Sequence, residues 1–248
     1  MIKILGIIPA RYDSSRFPGK PLVEIQGKSM IQRVYERAKQ CQHLTKVVVA
    51  TDDQRIFDTV IAFGGEVVMT SPEHQSGTDR CVEAYFKLGE EYDAVINIQG
   101  DEPIINPCQL DLLAFCFNDD DCEIATLAVK IRANDILFDA SKIKVVIDDN
   151  QHGIYFSRHP IPYQQRPAED WLNHHEYLKH VGIYGFRSDI LKEIGKLPQS
   201  ALEVAESLEQ LRWLENGYKI QVKLTEFDSI SVDIPKDLER VNAILAQG

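Results

Sequence analysis

The stretch that most restricts the fold lies at the start of the chain. Residues 2–8 are apolar but for Lys3 and rich in β-branched isoleucine, and they run into a loop holding Pro9, Pro18, Gly19 and Pro21. A buried strand, a loop broken by proline and glycine, and then a helical pattern are how an open α/β sheet forms a ligand crevice at the carboxyl end of a strand. Arg11, Arg16 and Lys20 punctuate this loop. The chain as a whole carries 38 acidic against 27 basic residues, a formal charge of -11. A cationic loop on an acidic protein points to a local site for a polyanion, with phosphate the leading candidate. The same charge argues against a general nucleic-acid binder, which presents a basic surface.

The pattern then repeats. Ser29 and Gln32 have capping-box spacing, and Met30, Ile31, Val34, Ala38 and Cys41 fall on one helical face. Residues 46–51 (KVVVAT) read as a second buried strand, Asp52-Asp53 as the start of a helix that runs to Phe63 and is closed by Gly64-Gly65, and 66–69 as a third strand. Alternating strand and helix predicts a parallel sheet with helices on its faces. SPEHQSGTDR is a polar loop leading into a helix over 79–88, with Thr78 as its expected cap. Residues 94–98 form another buried strand, followed at once by QGDEP. Asp101 thus sits just past the end of a central strand, where an acidic metal ligand belongs in such a sheet.

After a strand at 123–129 the alternation stops. Residues 142–147, 153–156 and 177–186 read as strands without long helices between them, which predicts an antiparallel lobe. The segment 158–173 carries Pro160, Pro162 and Pro167 and is expected to be an irregular arm, mobile or in contact with a partner. Alternation places His180, Gly182, Tyr184 and Phe186 on one strand face. Residues 201–215 read as one helix capped by Ser200 and Glu203, with Val204, Ala205, Leu208, Leu211 and Leu214 as its buried stripe. A strand at 219–224 and a last helix follow, and Asp233 stands before that helix either as its cap or as a second acidic ligand. With 248 residues and 44% apolar content the chain can bury a large core. We expect one domain, with a nucleotide-binding core over about 1–130 and 219–248 and an inserted lobe over about 131–218. Five cysteines without a C-x-x-C pair fit reduced thiols in a cytoplasmic protein, with neither a zinc site nor a nucleophile. No apolar run is long enough to span a bilayer and no signal-peptide pattern begins the chain.

Taken together, IIPARYDSSRFPGKPL, HQSGTDR, NIQGDEP, KHVGIYGFR, LEQLRWLENGYKI and VDIPKDLERV resemble, in order, the CMP-Kdo synthetase family (Kdo is 3-deoxy-manno-octulosonate). The resemblance implies a Rossmann-like α/β fold and a cytidylyltransferase that joins CTP to Kdo, giving CMP-Kdo and pyrophosphate for lipopolysaccharide assembly. It implies that Arg11, Lys20 and Arg16 meet the triphosphate, and that Gln75, Ser76, Gly77 and Arg80 face the nucleotide. By the same resemblance Asp101 and Asp233 hold Mg2+, while Gln99, Arg158, His180, Tyr184, Glu209 and Gln210 bind the sugar acid. It further implies a homodimer formed through the lobe, with no nucleic-acid or membrane partner. A nicotinamide oxidoreductase is disfavoured because the first loop lacks G-x-G-x-x-G. A non-catalytic nucleotide binder and a sister cytidylyltransferase for another acid sugar are the other readings.

Overall fold

The computed structural model describes residues 2–13, 17–74 and 76–246. Arg16 and Gln75 therefore lie outside the described residues. The chain divides into two compact units, Met1–Phe115 with Ser229–Gly248, and Cys116–Asp228.

The first unit opens with β1 (Ile4–Ala10), two residues later than the apolar run suggests, so that the strand takes in Pro9. Proline is tolerated because its missing N–H would point toward β6, where pairing has already ended at Ile7 opposite Asn97. A short hairpin, β2 (Glu24–Ile25) and β3 (Lys28–Ser29), leads to α1 (Met30–Ala38). Ser29 accepts the Gln32 N–H, but the Gln32 side chain turns to Glu36, so half of the expected capping box forms. Then come β4 (Lys46–Thr51), α2 (Gln54–Ala62) capped by Asp53, β5 (Val67–Met69), α3 (Gly77–Leu88), β6 (Ala94–Asn97) and α4 (Pro107–Cys116). Helix α3 starts earlier than its expected cap at Thr78. Ser76 and Asp79 form a full capping box, and Thr78 is buried in the first turn. Strands β6, β1, β4 and β5 lie side by side, all parallel. Ile4, Leu5, Ile7, Ile8, Val47–Ala50 and Ala94–Ile96 are at most 4% exposed, which accounts for their unbroken apolar runs.

The second unit contains β7 (Ile124–Lys130), α5 (Asn134–Phe138), β8 (Lys144–Ile147), β9 (Gly153–Ser157), α6 (Trp171–His174), β10 (Leu178–Arg187), α7 (Ser188–Ile194), α8 (Ala201–Glu206), α9 (Gln210–Glu215) and β11 (Ile220–Leu224). The sheet here is mixed. β10 runs antiparallel to β7 and β8, β8 antiparallel to β9, and β11 parallel to β7. Helix α10 (Asp237–Leu245) closes the chain in the first unit. Strands β7 and β11, which sequence alone grouped with the nucleotide core, belong by these pairings to the second unit.

Two expectations change in this unit, and a third holds for an added reason. The helix over 201–215 is two helices, broken at Ser207 with φ 52. Arg158 explains the break. Its Nε donates to the Glu206 carbonyl (2.7 Å) and its Nη2 to that of Ser207 (3.2 Å), acceptors that a continuous helix would keep for itself. The buried stripe shifts as a result. Val204 is 64% exposed, while Glu203 is buried and receives Arg212 through two bonds of 2.8 and 2.5 Å. The proline-rich arm is anchored rather than loose. Trp171 is buried, stacks on Tyr177, and donates its indole N–H to the Arg166 carbonyl, while Gln164 donates to the Tyr177 hydroxyl. Finally, β10 bulges against β7, where Val181 faces Leu127 but Tyr184 faces Thr126. Two extra residues, an even number, preserve the alternation of faces. The rings of His180 and Tyr184 consequently lie 5.1 Å apart and those of Tyr184 and Phe186 6.1 Å.

In the first unit, Glu83 on α3 ties down the loop that precedes its own helix. It accepts from the Ser71 N–H (2.8 Å), from Lys87 (2.8 Å) and from His74. Burial opposes its ionisation, yet the bonds from Lys87, Ser71 and His74 outweigh that and bring its pKa from 4.5 to about 2.

Two tests follow from this packing. Arg212→Met strands the Glu203 charge in the interior and should cost about 3–5 kcal/mol in chemical denaturation, whereas Val204→Ala should stay within about 0.5 kcal/mol. The contribution of Glu83 is present above its unfolded pKa of 4.5 and fades as pH falls toward about 2. Glu83→Gln should therefore lower the melting temperature at pH 7 and flatten its fall between those two pH values.

Candidate functional site

The carboxyl ends of β1 and β6 are brought into contact by a missing side chain. A Cβ on Gly100 would lie 2.7 Å from the Pro9 carbonyl oxygen, so only glycine lets the loop after β6 approach the loop after β1 this closely. The loop after β1 is shaped by Gly19, which has φ 70 and donates its N–H to the Tyr12 carbonyl (2.9 Å). The Arg55 guanidinium lies 3.3 Å from the Tyr12 ring centroid and also pairs with Asp53 at 2.6 Å, pinning the loop to the start of α2.

Beyond Gly19, a single 3-10 turn, Lys20–Leu22, presents Lys20. Its Nζ donates to Asp101 Oδ2 at 2.7 Å and lies 3.8 Å from Asp233 Oδ1. The Lys20 side chain is 14% exposed, and those of Asp101 and Asp233 are 26% and 41% exposed. The Val232 N–H donates to the Asp101 carbonyl (2.9 Å), which brings the segment before α10 alongside the β6 loop. Asp233 is not the helix cap. Asp237 takes the N–H groups of Asp233 and Ile234 at 2.8 and 2.9 Å, and the Asp233 carboxylate instead faces Lys20.

A cavity of about 260 Å³ opens here, lined by Arg11, Lys20, Ser76, Gly77, Arg80, Gln99, Asp101 and Asp233. Eight residues singled out from sequence thus share one wall, although they come from four separate stretches of chain. Ser76 and Gly77 contribute the first turn of α3, where the helix dipole favours an anion. Arg80 lines the wall with its charge already engaged. Its guanidinium reaches Asp52 (2.7 Å), the Thr70 hydroxyl (2.5 Å) and the Ser71 carbonyl (3.3 Å). Sequence reasoning passed over Asp52 and His74. Asp52 follows the end of β4 as Asp101 follows β6, so the rule that found one could have found the other.

The remaining residues lie in the second unit. His180 shares a bond of 2.9 Å between its Nε2 and the Thr126 hydroxyl, and that hydroxyl is 2.7 Å from the Ile183 carbonyl. A hydroxyl has one proton. Donated to Ile183, it leaves the oxygen to accept from His180 Nε2–H, so Nδ1 is the acceptor nitrogen. Burial, with Lys179 nearby, lowers the His180 pKa to about 3, and the ring is neutral at ordinary pH. Tyr184 packs edge-on to Trp213 with centroids 4.9 Å apart, and its buried hydroxyl has no hydrogen-bond partner among the described residues. Burial and the Glu209 charge hold its pKa well above the usual value. Gln210 is buried at the start of α9, next to Glu209. Arg158 spends three N–H groups on the carbonyls of Ala140, Glu206 and Ser207, leaving two of its five for a ligand. Thr126 was missed, though a threonine amid the apolar run IATLAV was its signal.

All five cysteines are free, and burial raises Cys41 and Cys122 to about 12 and Cys116 to about 11. None of these three is a thiolate nucleophile. Among the described residues no group of three or more His, Cys, Asp or Glu is placed to hold a metal. Asp101 and Asp233, two hard oxygen donors converging on one ammonium, suit an ion that takes few protein carboxylates and completes its shell with water and phosphate, as Mg2+ does.

A family model described as Cytidylyltransferase matches residues 5–220. The chain is 55% identical to a 3-deoxy-manno-octulosonate cytidylyltransferase of Parabacteroides distasonis, covering 99% of each chain. It is 53% identical to a protein of the same name from Phocaeicola vulgatus, over 99% of this chain and 98% of that one. Among solved structures it superposes on a CMP:2-keto-3-deoxy-manno-octonic acid synthetase complexed with CTP, with a TM-score of 0.91, 46% identity and 99% coverage of both. A cytidylyltransferase from Leptospira borgpetersenii, 16% identical with a TM-score of 0.64 over 100% of this chain and 88% of that one, shares the fold. By sequence over its whole length and by structure, the chain belongs to the 3-deoxy-manno-octulosonate cytidylyltransferase family of nucleotidyltransferases.

Proposed function

We propose that this chain transfers the cytidylyl group of CTP to Kdo, releasing pyrophosphate and yielding CMP-Kdo for lipopolysaccharide assembly, with Mg2+ as its metal. The observation that carries this reading is the cavity where Arg11, Lys20 and the first turn of α3 face two carboxylates, Asp101 after β6 and Asp233 before α10. The CTP complex of the 46% identical relative supports the nucleotide half of the reaction.

The anomeric hydroxyl of Kdo attacks the α-phosphorus, and pyrophosphate leaves in line. Both reactants are anions, so the barrier is largely one of charge and placement. Lys20 and Arg11 meet the triphosphate and the charge growing on the departing pyrophosphate, and Arg16 is assigned to the same loop function. Gln75, Ser76 and Gly77 face the nucleotide, and Arg80, locked to Asp52, shapes the wall behind it. Mg2+ held by Asp101 and Asp233 supplies neutralisation of phosphate charge when bound. Gln99 on the cavity and Arg158, His180, Tyr184, Glu209 and Gln210 in the second unit serve the sugar. His180 Nδ1 accepts a sugar hydroxyl, Tyr184 donates its hydroxyl proton, and the two remaining Arg158 N–H groups receive the carboxylate. No covalent enzyme intermediate is needed. The working form is a homodimer in the cytoplasm. No helix among the described residues is long and apolar enough to cross a membrane.

The deciding measurement is pyrophosphate release from CTP with a panel of acid sugars, with and without Mg2+. Turnover should need CTP, Kdo and the metal together, and CTP binding without release on any acid sugar would overturn the reading. Asp101→Asn and Asp233→Asn should each lower kcat at saturating Mg2+ by at least about 100-fold while the far-ultraviolet circular dichroism stays unchanged. Tyr184→Phe should raise KM for Kdo about tenfold and leave KM for CTP alone. Because it removes a buried, unpartnered hydroxyl, its melting temperature should hold or rise.

A further inference from the structure

We infer that Lys20 is an internal counter-ion that occupies the divalent-metal position until nucleotide arrives, so that metal and CTP enter as a coupled pair. This rests on the proposed role of Asp101 and Asp233 as metal carboxylates. Lys20 Nζ sits between them, 2.7 Å from Asp101 Oδ2 and 3.8 Å from Asp233 Oδ1, with only 14% of its side chain exposed. An ion bridging the two carboxylates needs the space that this ammonium fills, since Mg2+ binds oxygen at roughly 2.0–2.1 Å. A divalent ion and an ammonium cannot share it, because they repel at such range in a partly desolvated cleft.

The donor count points the same way. With no third acidic, histidine or cysteine ligand among the described residues, the protein offers a divalent ion two carboxylates already neutralised in part by a lysine. Triphosphate changes both terms at once. It gives Lys20 a stronger anionic partner, which draws the ammonium off the aspartates, and it adds phosphate oxygens to the metal's shell. The lysine that meets the pyrophosphate is therefore the one whose departure opens the metal position. Such coupling is reciprocal, so the metal tightens nucleotide by the factor by which nucleotide tightens metal. The arrangement also limits capture of divalent ions by the enzyme before its substrate is bound.

The test reads metal binding without turnover. Mn2+ is titrated into the full-length protein with no sugar present and followed by electron paramagnetic resonance of the free ion, with and without α,β-methylene-CTP. Asp101→Asn is titrated in parallel to subtract ions held elsewhere on this acidic chain. Lys20→Met should bind Mn2+ at least tenfold more tightly than wild type when nucleotide is absent. Lys20→Gln should show the same gain, and serves if the methionine variant does not fold. Lys20→Arg, which keeps the charge, should stay at the wild-type value. The analogue should tighten Mn2+ by a smaller factor in the neutral variants than in wild type. A folded neutral variant that binds Mn2+ no better than wild type without nucleotide overturns the inference. If CTP and Kdo react but the neutral variants gain no metal affinity, only this exchange fails. If they do not react at all, the functional reading fails, and the metal titration is read independently of it.

Discussion

An ammonium shared by two carboxylates is the contact on which the first unit's loops depend. Lys20 comes from the turn after β1, Asp101 from the end of β6 and Asp233 from the segment before α10, positions far apart in the chain. Three backbone features make the meeting possible. Gly100 allows the β6 loop to touch Pro9, Gly19 folds the first loop back on Tyr12, and Val232 hydrogen-bonds the Asp101 carbonyl. Each is a backbone constraint that carries a charged group to the meeting point.

The arginines divide their work differently from the lysine. Arg80 is fixed to Asp52, Arg212 to Glu203 and Arg158 to the carbonyls around Ser207, all in partly or fully buried positions. A planar guanidinium with several donors is suited to holding several acceptors at once. Lys20 has a point charge on a flexible stem, which suits a group that must leave one anion for another. In this molecule Arg80, Arg158 and Arg212 hold the chain around them in place, and Lys20 faces the cavity beside Arg11.

The second unit offers a neutral surface beside its charged groups. The two-residue bulge in β10 turns the Ile183 carbonyl toward Thr126, and Thr126 in turn sets the tautomer of His180. The same strand face carries Tyr184 against Trp213, with its hydroxyl unpaired among the described residues. A buried donor left without a protein acceptor costs stability, of order 1–3 kcal/mol, unless a ligand completes it. The family's acid sugar is a polyol, and polyols supply such acceptors.

Much of this was readable before any coordinates. Buried strands announce themselves as unbroken β-branched runs, and caps such as Ser29 and Asp53 are local, so the parallel sheet and the position of Asp101 follow from short windows of sequence. The family motifs add, as a set, the residues proposed to meet the sugar. What no window contains is the commitment of a side chain to a distant partner. Helix 201–215 reads as continuous because its propensity is continuous; Arg158, more than forty residues away, takes the carbonyls that would have continued it. Asp233 reads as a cap, but the helix begins four residues later at Asp237, and Lys20 claims the Asp233 carboxylate. Local order was set by sequence because hydrogen bonds and apolar periodicity act over a few residues. Which charge meets which was decided by tertiary structure, because Coulomb pairing depends on distance in space and on burial rather than on distance along the chain.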